Sequence, residues 1–64
     1  MANQTLVTPA DIAAIESAGL RLSVGADLPC TSPELRRIFG LSALGRVLVL
    51  SIAETTKGAL VSWQ

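Results

Sequence analysis

Val47-Leu48-Val49-Leu50-Ser51-Ile52 is the stretch on which the fold of this 64-residue chain turns. A nearly continuous apolar run of this kind suits a strand covered on both faces, as in a parallel sheet. Upstream, Leu20, Leu22 and Val24 alternate with Arg21 and Ser23, the period-2 signature of a half-buried strand. Gly25 ends that segment, and Ala26 to Thr31 reads as a loop containing Pro29.

Between the two strands stands a helix start. Ser32 is a good N-cap, Pro33 suits the first helical position, and Glu34 lies beside the positive end of the helix dipole. Leu35, Ile38 and Phe39 form its apolar side, Arg36 and Arg37 face away, and Gly40 stops it. Leu41 to Leu44 offers one further turn, with Ser42 as cap and Gly45 as stop. Residues 20–52 therefore predict strand, helix, strand. A right-handed crossover would make the two strands parallel neighbours.

Moving outward again, Thr8-Pro9 with Asp11 repeats the helix-start chemistry. Ile12 and Ile15 share a face, and Gly19 suits the position after the last turn, so a helix is expected from about Pro9 to Ala18. Residues 1–5 read as a polar arm, and Thr5 to Val7 as a candidate short strand. Residues 53–64 admit two readings. Ala53 to Leu60 could be a closing helix, or Lys57-Gly58 could turn a hairpin that pairs Ala59 to Trp63 back on Val47 to Ile52. Val61, Trp63 and the threonines favour the hairpin locally. The expected fold class is α/β: one small βαβ unit with a short parallel or mixed sheet and two to three short helices, in a single domain over residues 1–64.

Composition narrows function mainly by exclusion. Five basic residues balance five acidic ones, and Phe39 and Trp63 are the only aromatics. Nucleic-acid binders show a basic stripe interleaved with stacking aromatics, so no nucleic-acid partner is expected. The longest apolar stretch, Ile38 to Ala53, is interrupted by Arg46 and is shorter than the ~20 residues of a spanning helix. No membrane insertion is expected, and the first residues do not read as a signal peptide. The chain has no histidine and one cysteine, Cys30, which leaves neither a disulfide nor a zinc ligand set. Cys30 also lacks a histidine base to make it a nucleophile. Asp11, Glu16, Asp27, Glu34 and Glu54 fall at helix starts and loops, where capping or solvation accounts for them. No catalytic residue, metal ligand or cofactor is expected, and the chain reads as no enzyme.

A domain this small buries only about 60% of its unfolded-chain surface. Without a disulfide or metal, the remaining support is a partner, either a second copy or another protein. Arg36 and Arg37 are candidate partner contacts. Trp63 either closes the core or anchors an interface, because Trp is enriched at binding hot spots.

Leu20-Arg21-Leu22-Ser23-Val24, Ser32-Pro33-Glu34-Leu35-Arg36-Arg37-Ile38-Phe39 and Leu41-Ser42-Ala43-Leu44-Gly45-Arg46-Val47-Leu48 follow one another here in an order that resembles the C-terminal half of a STAS domain. STAS is the fold of bacterial anti-sigma factor antagonists. The resemblance implies a parallel strand pair and a regulatory, non-enzymatic protein that docks on another protein in the cytoplasm. Glu16-Ser17-Ala18-Gly19-Leu20 is also similar to that family's phosphorylation motif, which makes Ser17 a candidate phosphoacceptor. The two registers exclude each other in the family's layout, and the helix signals at Thr8-Pro9 and Gly19 favour the first. A rival reading makes the chain a structural subunit of a larger assembly, such as a shell, filament or virion. It draws on small size, high apolar content and zero net charge. Either way an oligomer is expected.

Overall fold

The computed structural model describes residues 2–64; Met1, the first residue of the expected polar arm, lies outside them. In chain order the elements are β1 (Asn3–Val7), α1 (Pro9–Ser17), β2 (Asp27–Cys30), α2 (Pro33–Phe39), β3 (Gly45–Thr55) and β4 (Gly58–Trp63). The strands form one sheet in the order β1-β4-β3-β2, and every neighbouring pair is antiparallel.

This overturns the expected βαβ unit with a parallel or mixed sheet. Cys30, the last residue of β2, is the register partner of Gly45, the first of β3. The 31–44 segment carrying α2 therefore leaves and returns at the same end of the sheet, which makes the strands antiparallel. A parallel crossover would have to carry the chain back along the strand before pairing. The second cause lies in the run Val47 to Ile52. Val47 and Val49 are 0% and 1% exposed, whereas Leu48 and Leu50 are 38% and 40% exposed. The strand alternates between a covered and an open face, which antiparallel sheets permit and parallel ones rarely do.

The strand expected at Leu20 to Val24 is also corrected. Leu20 and Leu22 pack partly buried against the core, but this backbone belongs to no strand. A turn follows, with Ala26 N donating to Ser23 O at 3.0 Å. The chain then meets β3 through Gly25 N to Val49 O and Val49 N to Ala26 O, both 2.8 Å. The ladder itself forms in the expected loop, over Asp27–Cys30. Pro29 is tolerated there because β2 is an edge strand, and a missing N–H costs nothing on a free edge.

Both helices begin as their caps dictate. Thr8 Oγ1 accepts from Asp11 N at 3.2 Å, and Asp11 Oδ2 accepts from Thr8 N at 3.3 Å, a reciprocal capping box. Ser32 Oγ accepts from Leu35 N at 3.2 Å. Both also end in the same way. Leu20 N reaches Ile15 O and Gly19 N reaches Glu16 O; Leu41 N reaches Arg36 O and Gly40 N reaches Arg37 O. These are paired Schellman bonds. Gly40, at φ +68°, takes the left-handed position that residues with a Cβ adopt at a cost. Residues 42–44 bend and form no further helical turn.

Residues 53–64 adopt the hairpin alternative. Thr55 pairs with Gly58, Ile52 with Val61 and Val49 with Trp63, with a bulge between Val49 and Ser51. β4 then lies against β1, from Val7↔Ala59 to Asn3↔Trp63, so residues 3–5 of the expected arm belong to an edge strand. Val7, Leu28, Cys30, Val47, Val49, Ala59, Val61 and Trp63 from the sheet join Ile15, Leu35, Ile38 and Phe39 from the helices in one core. The helices cover this face of the sheet alone.

Candidate functional site

The uncovered face is built by strand alternation. Residues adjacent to core positions point to the other side of the sheet. One row across it runs Leu6, Leu60, Ala53, from the pairs Leu6↔Leu60 and Ala53↔Leu60. The next runs Gln4, Ser62, Ser51 and is polar, with Gln4 Nε2 donating to Ser62 Oγ at 3.5 Å. A third is formed by Gln64, Leu48 and Asp27, where Leu48 and Gln64 exchange backbone hydrogen bonds of 2.9 and 3.1 Å. At the corner beside β2, Arg46 Nε lies 3.0 and 3.1 Å from the two carboxylate oxygens of Asp27. This hydrogen bond, with the nearby negative charge, raises the Arg46 pKa further above its ordinary value. Such exposed ion pairs add little stability, but this one fixes the orientation of both charged groups at the rim of the face.

The face thus mixes leucines, hydroxyls, amides and one ion pair, with a polar row between its two leucine-bearing rows. Leu6 is 40% exposed, about as much as Leu48 and Leu50. Sequence reading missed this face because both sides of β3 carry aliphatic residues between Val47 and Leu50. The alternation of small Val with larger Leu was the available signal, and hydropathy alone does not register it.

The residues singled out from sequence are dispersed. Ser17 is exposed in the last turn of α1. A phosphate there would stand at the negative end of that helix, where the dipole opposes it. Arg37 is exposed; Arg36 is half-buried and donates from Nε to Ser32 O at 3.4 Å. Trp63 is 8% exposed and closes the core. Its Nε1 donates to Thr5 Oγ1 at 2.9 Å, and its ring meets Phe39 edge-on with centroids 5.6 Å apart. No hydrogen bond or ion pair joins Ser17, Arg36, Arg37 and Trp63 among the described residues. Cys30 is fully buried, its Sγ 3.7 Å from Leu28 O, and burial pushes its thiol pKa up.

Among the described residues there is no pocket, and no group of three or more His, Cys, Asp or Glu residues placed to hold a metal. No helix among them is long and apolar enough to cross a membrane. Compared with known proteins, the chain matches no family, no curated protein and no solved structure.

Proposed function

We propose that this chain is a non-enzymatic protein–protein interaction module that binds through the uncovered face of its sheet. The observation that carries the reading is the placement of Leu6, Leu48 and Leu50, each more than a third exposed, on the side that neither helix covers. Polar groups and the Asp27–Arg46 pair surround them, which gives a partner both area and orientation. The STAS resemblance at Leu20 to Leu50 adds a regulatory setting in the cytoplasm. It carries less weight than the surface, because the parallel strand pair it implied is not formed. A lone buried thiol suits a reducing compartment.

The reading is tested by placing a photoreactive side chain at Ser62, on this face and away from the free edge of β3, and at Ala13, exposed on α1. Irradiation in cells is expected to give a discrete protein adduct from position 62 only. The adduct should disappear when Leu48→Lys is added and when unlabelled chain competes. Equal labelling from both positions, or an adduct indifferent to Leu48→Lys, would remove the basis for the proposal. The second reading, a subunit of a larger assembly, is favoured by zero net charge. It predicts particles far larger than a dimer in light scattering.

A further inference from the structure

β3 has strand neighbours on both sides for only part of its length. The β2 ladder covers Gly45 to Leu48, and Gly25 and Ala26 hydrogen-bond to Val49. Beyond that point only β4 pairs with it, from Ser51↔Ser62 to Thr55↔Gly58. In an antiparallel ladder alternate residues direct their N–H and C=O groups to opposite sides. The outer edge of Ser51–Thr55 therefore presents a row of backbone groups with no strand beside them.

β1 is a second open edge, five residues long and without proline or charge; the β2 edge differs. β2 is four residues long and contains Pro29, both devices that discourage further pairing. The Ser51–Thr55 edge has no proline, carries one charge, Glu54, and follows the bulge in regular register with β4.

We infer that Ser51–Thr55 pairs with the same segment of a second copy, antiparallel about a two-fold axis at Ala53. A two-fold pairing must place its axis on a residue, since edge-facing residues have to meet edge-facing residues. With the axis at Ile52, Thr55 of the second copy falls opposite Val49, whose bonds are already taken by Gly25 and Ala26. With the axis at Glu54, the two carboxylates oppose each other directly, which is destabilising. With the axis at Ala53, Ser51 faces Thr55 of the second copy, a favoured hydroxyl pair, and Glu54 faces Ile52. The small Ala53 side chains meet at the centre, and the paired segment ends before the Gly25 turn. The product is a continuous eight-stranded sheet with the helices of both copies on one side and two leucine faces side by side on the other. The inference does not depend on what that face binds.

Opposed Cβ atoms in such a pair lie about 4.5–5.5 Å apart, near the reach of a disulfide. Light scattering on the unmodified chain is expected to give twice the 6.7 kDa chain mass at high concentration. Ala53→Cys should give a disulfide-linked dimer on mild oxidation, with Ala13→Cys as the control that stays monomeric. Ala53→Lys should weaken the dimer at least tenfold while its circular dichroism and melting curve remain those of a folded chain. If Ala53→Lys fails to fold, concentration-dependent slowing of amide exchange confined to Ser51–Thr55 in the unmodified chain serves instead. A monomer at every concentration overturns the inference. So does a dimer that Ala53→Cys does not trap. Neither result bears on the Leu48→Lys test of the sheet face.

Discussion

The two halves of β3 have similar composition and opposite circumstances. Gly45–Val49 pairs with β2 and meets β4 only at its end, through Leu48 and Val49, and Val47 and Val49 are sealed in the core. Leu50–Thr55 has β4 on one side, nothing on the other, and Ile52 as its only half-buried aliphatic. The difference shows that hydropathy does not decide which part of a strand is core. Pairing partners and cover do, and both come from distant residues: Leu28 lies opposite Val47 and Trp63 opposite Val49, while in the second half Ile52, opposite Val61, is only half-buried.

The contrast can be broken at the pair that closes it, Val49↔Trp63. Trp63→Ala removes the ring from Phe39 and leaves Thr5 without its donor. A loss of about 3–5 kcal/mol is expected from denaturant unfolding, enough to leave a chain of this size largely unfolded. Next is Gly58→Ala, at the end of the hairpin. Gly58 has φ +142°, and a Cβ there would fall inside contact distance of the Val7 carbonyl oxygen and 3.0 Å from Thr8 Cα. Backbone has to shift, and a cost of about 1–3 kcal/mol is expected, read as a lowered midpoint. The halves themselves are compared with Val49→Ala and Leu50→Ala. The first is expected to cost about 1–3 kcal/mol and the second less than half of that, because Leu50 is already partly in water. Equal costs would show that the two halves are not energetically distinct. The smallest effect is Asp27→Asn, which should leave the midpoint almost unchanged, since its ion pair with Arg46 is exposed.

A pH measurement sharpens the paired half, because Cys30 lies opposite Gly45. Burial raises its thiol pKa in the folded state. The unfolded chain then releases the proton first, near the ordinary thiol value of about 8.5. Stability is complete below that pH and falls as pH rises through the interval between unfolded and folded values. Cys30→Ala should abolish this alkaline slope, whatever it does to stability at neutral pH.

The helices were legible because their signals are local. Thr8-Pro9 with Asp11, Ser32-Pro33, Gly19 and Gly40 act through bonds spanning a few residues, and each does what its chemistry implies. The sheet was not, because its order depends on partners far apart in sequence. Leu20-Arg21-Leu22-Ser23-Val24 shows strand periodicity, yet Leu20 and Leu22 are satisfied by packing under the core without any ladder. Asp27-Leu28-Pro29-Cys30 looks like a loop, yet Leu28 and Cys30 alternate inward beside Val47 and Gly45. Trp63 could be placed in a core or at an interface from sequence, and only the nearness of Phe39 and Thr5 assigns it to the core. The leucine face was hidden for the reason that made Val47 to Ile52 conspicuous: apolar residues stand on both sides of the strand.

The pairing of Asn3 with Trp63 also bears on the order of folding. Contacts between residues this far apart carry a large loop-closure cost and slow the search for the native state. Each helix has its own caps, and the β3–β4 hairpin closes over a tight turn, so these units can form early. β1 gains its only strand neighbour when it docks on β4. The rate-limiting event is therefore expected to be the arrival of the first strand on a preformed hairpin, with Thr5 and Trp63 among the last residues to find each other.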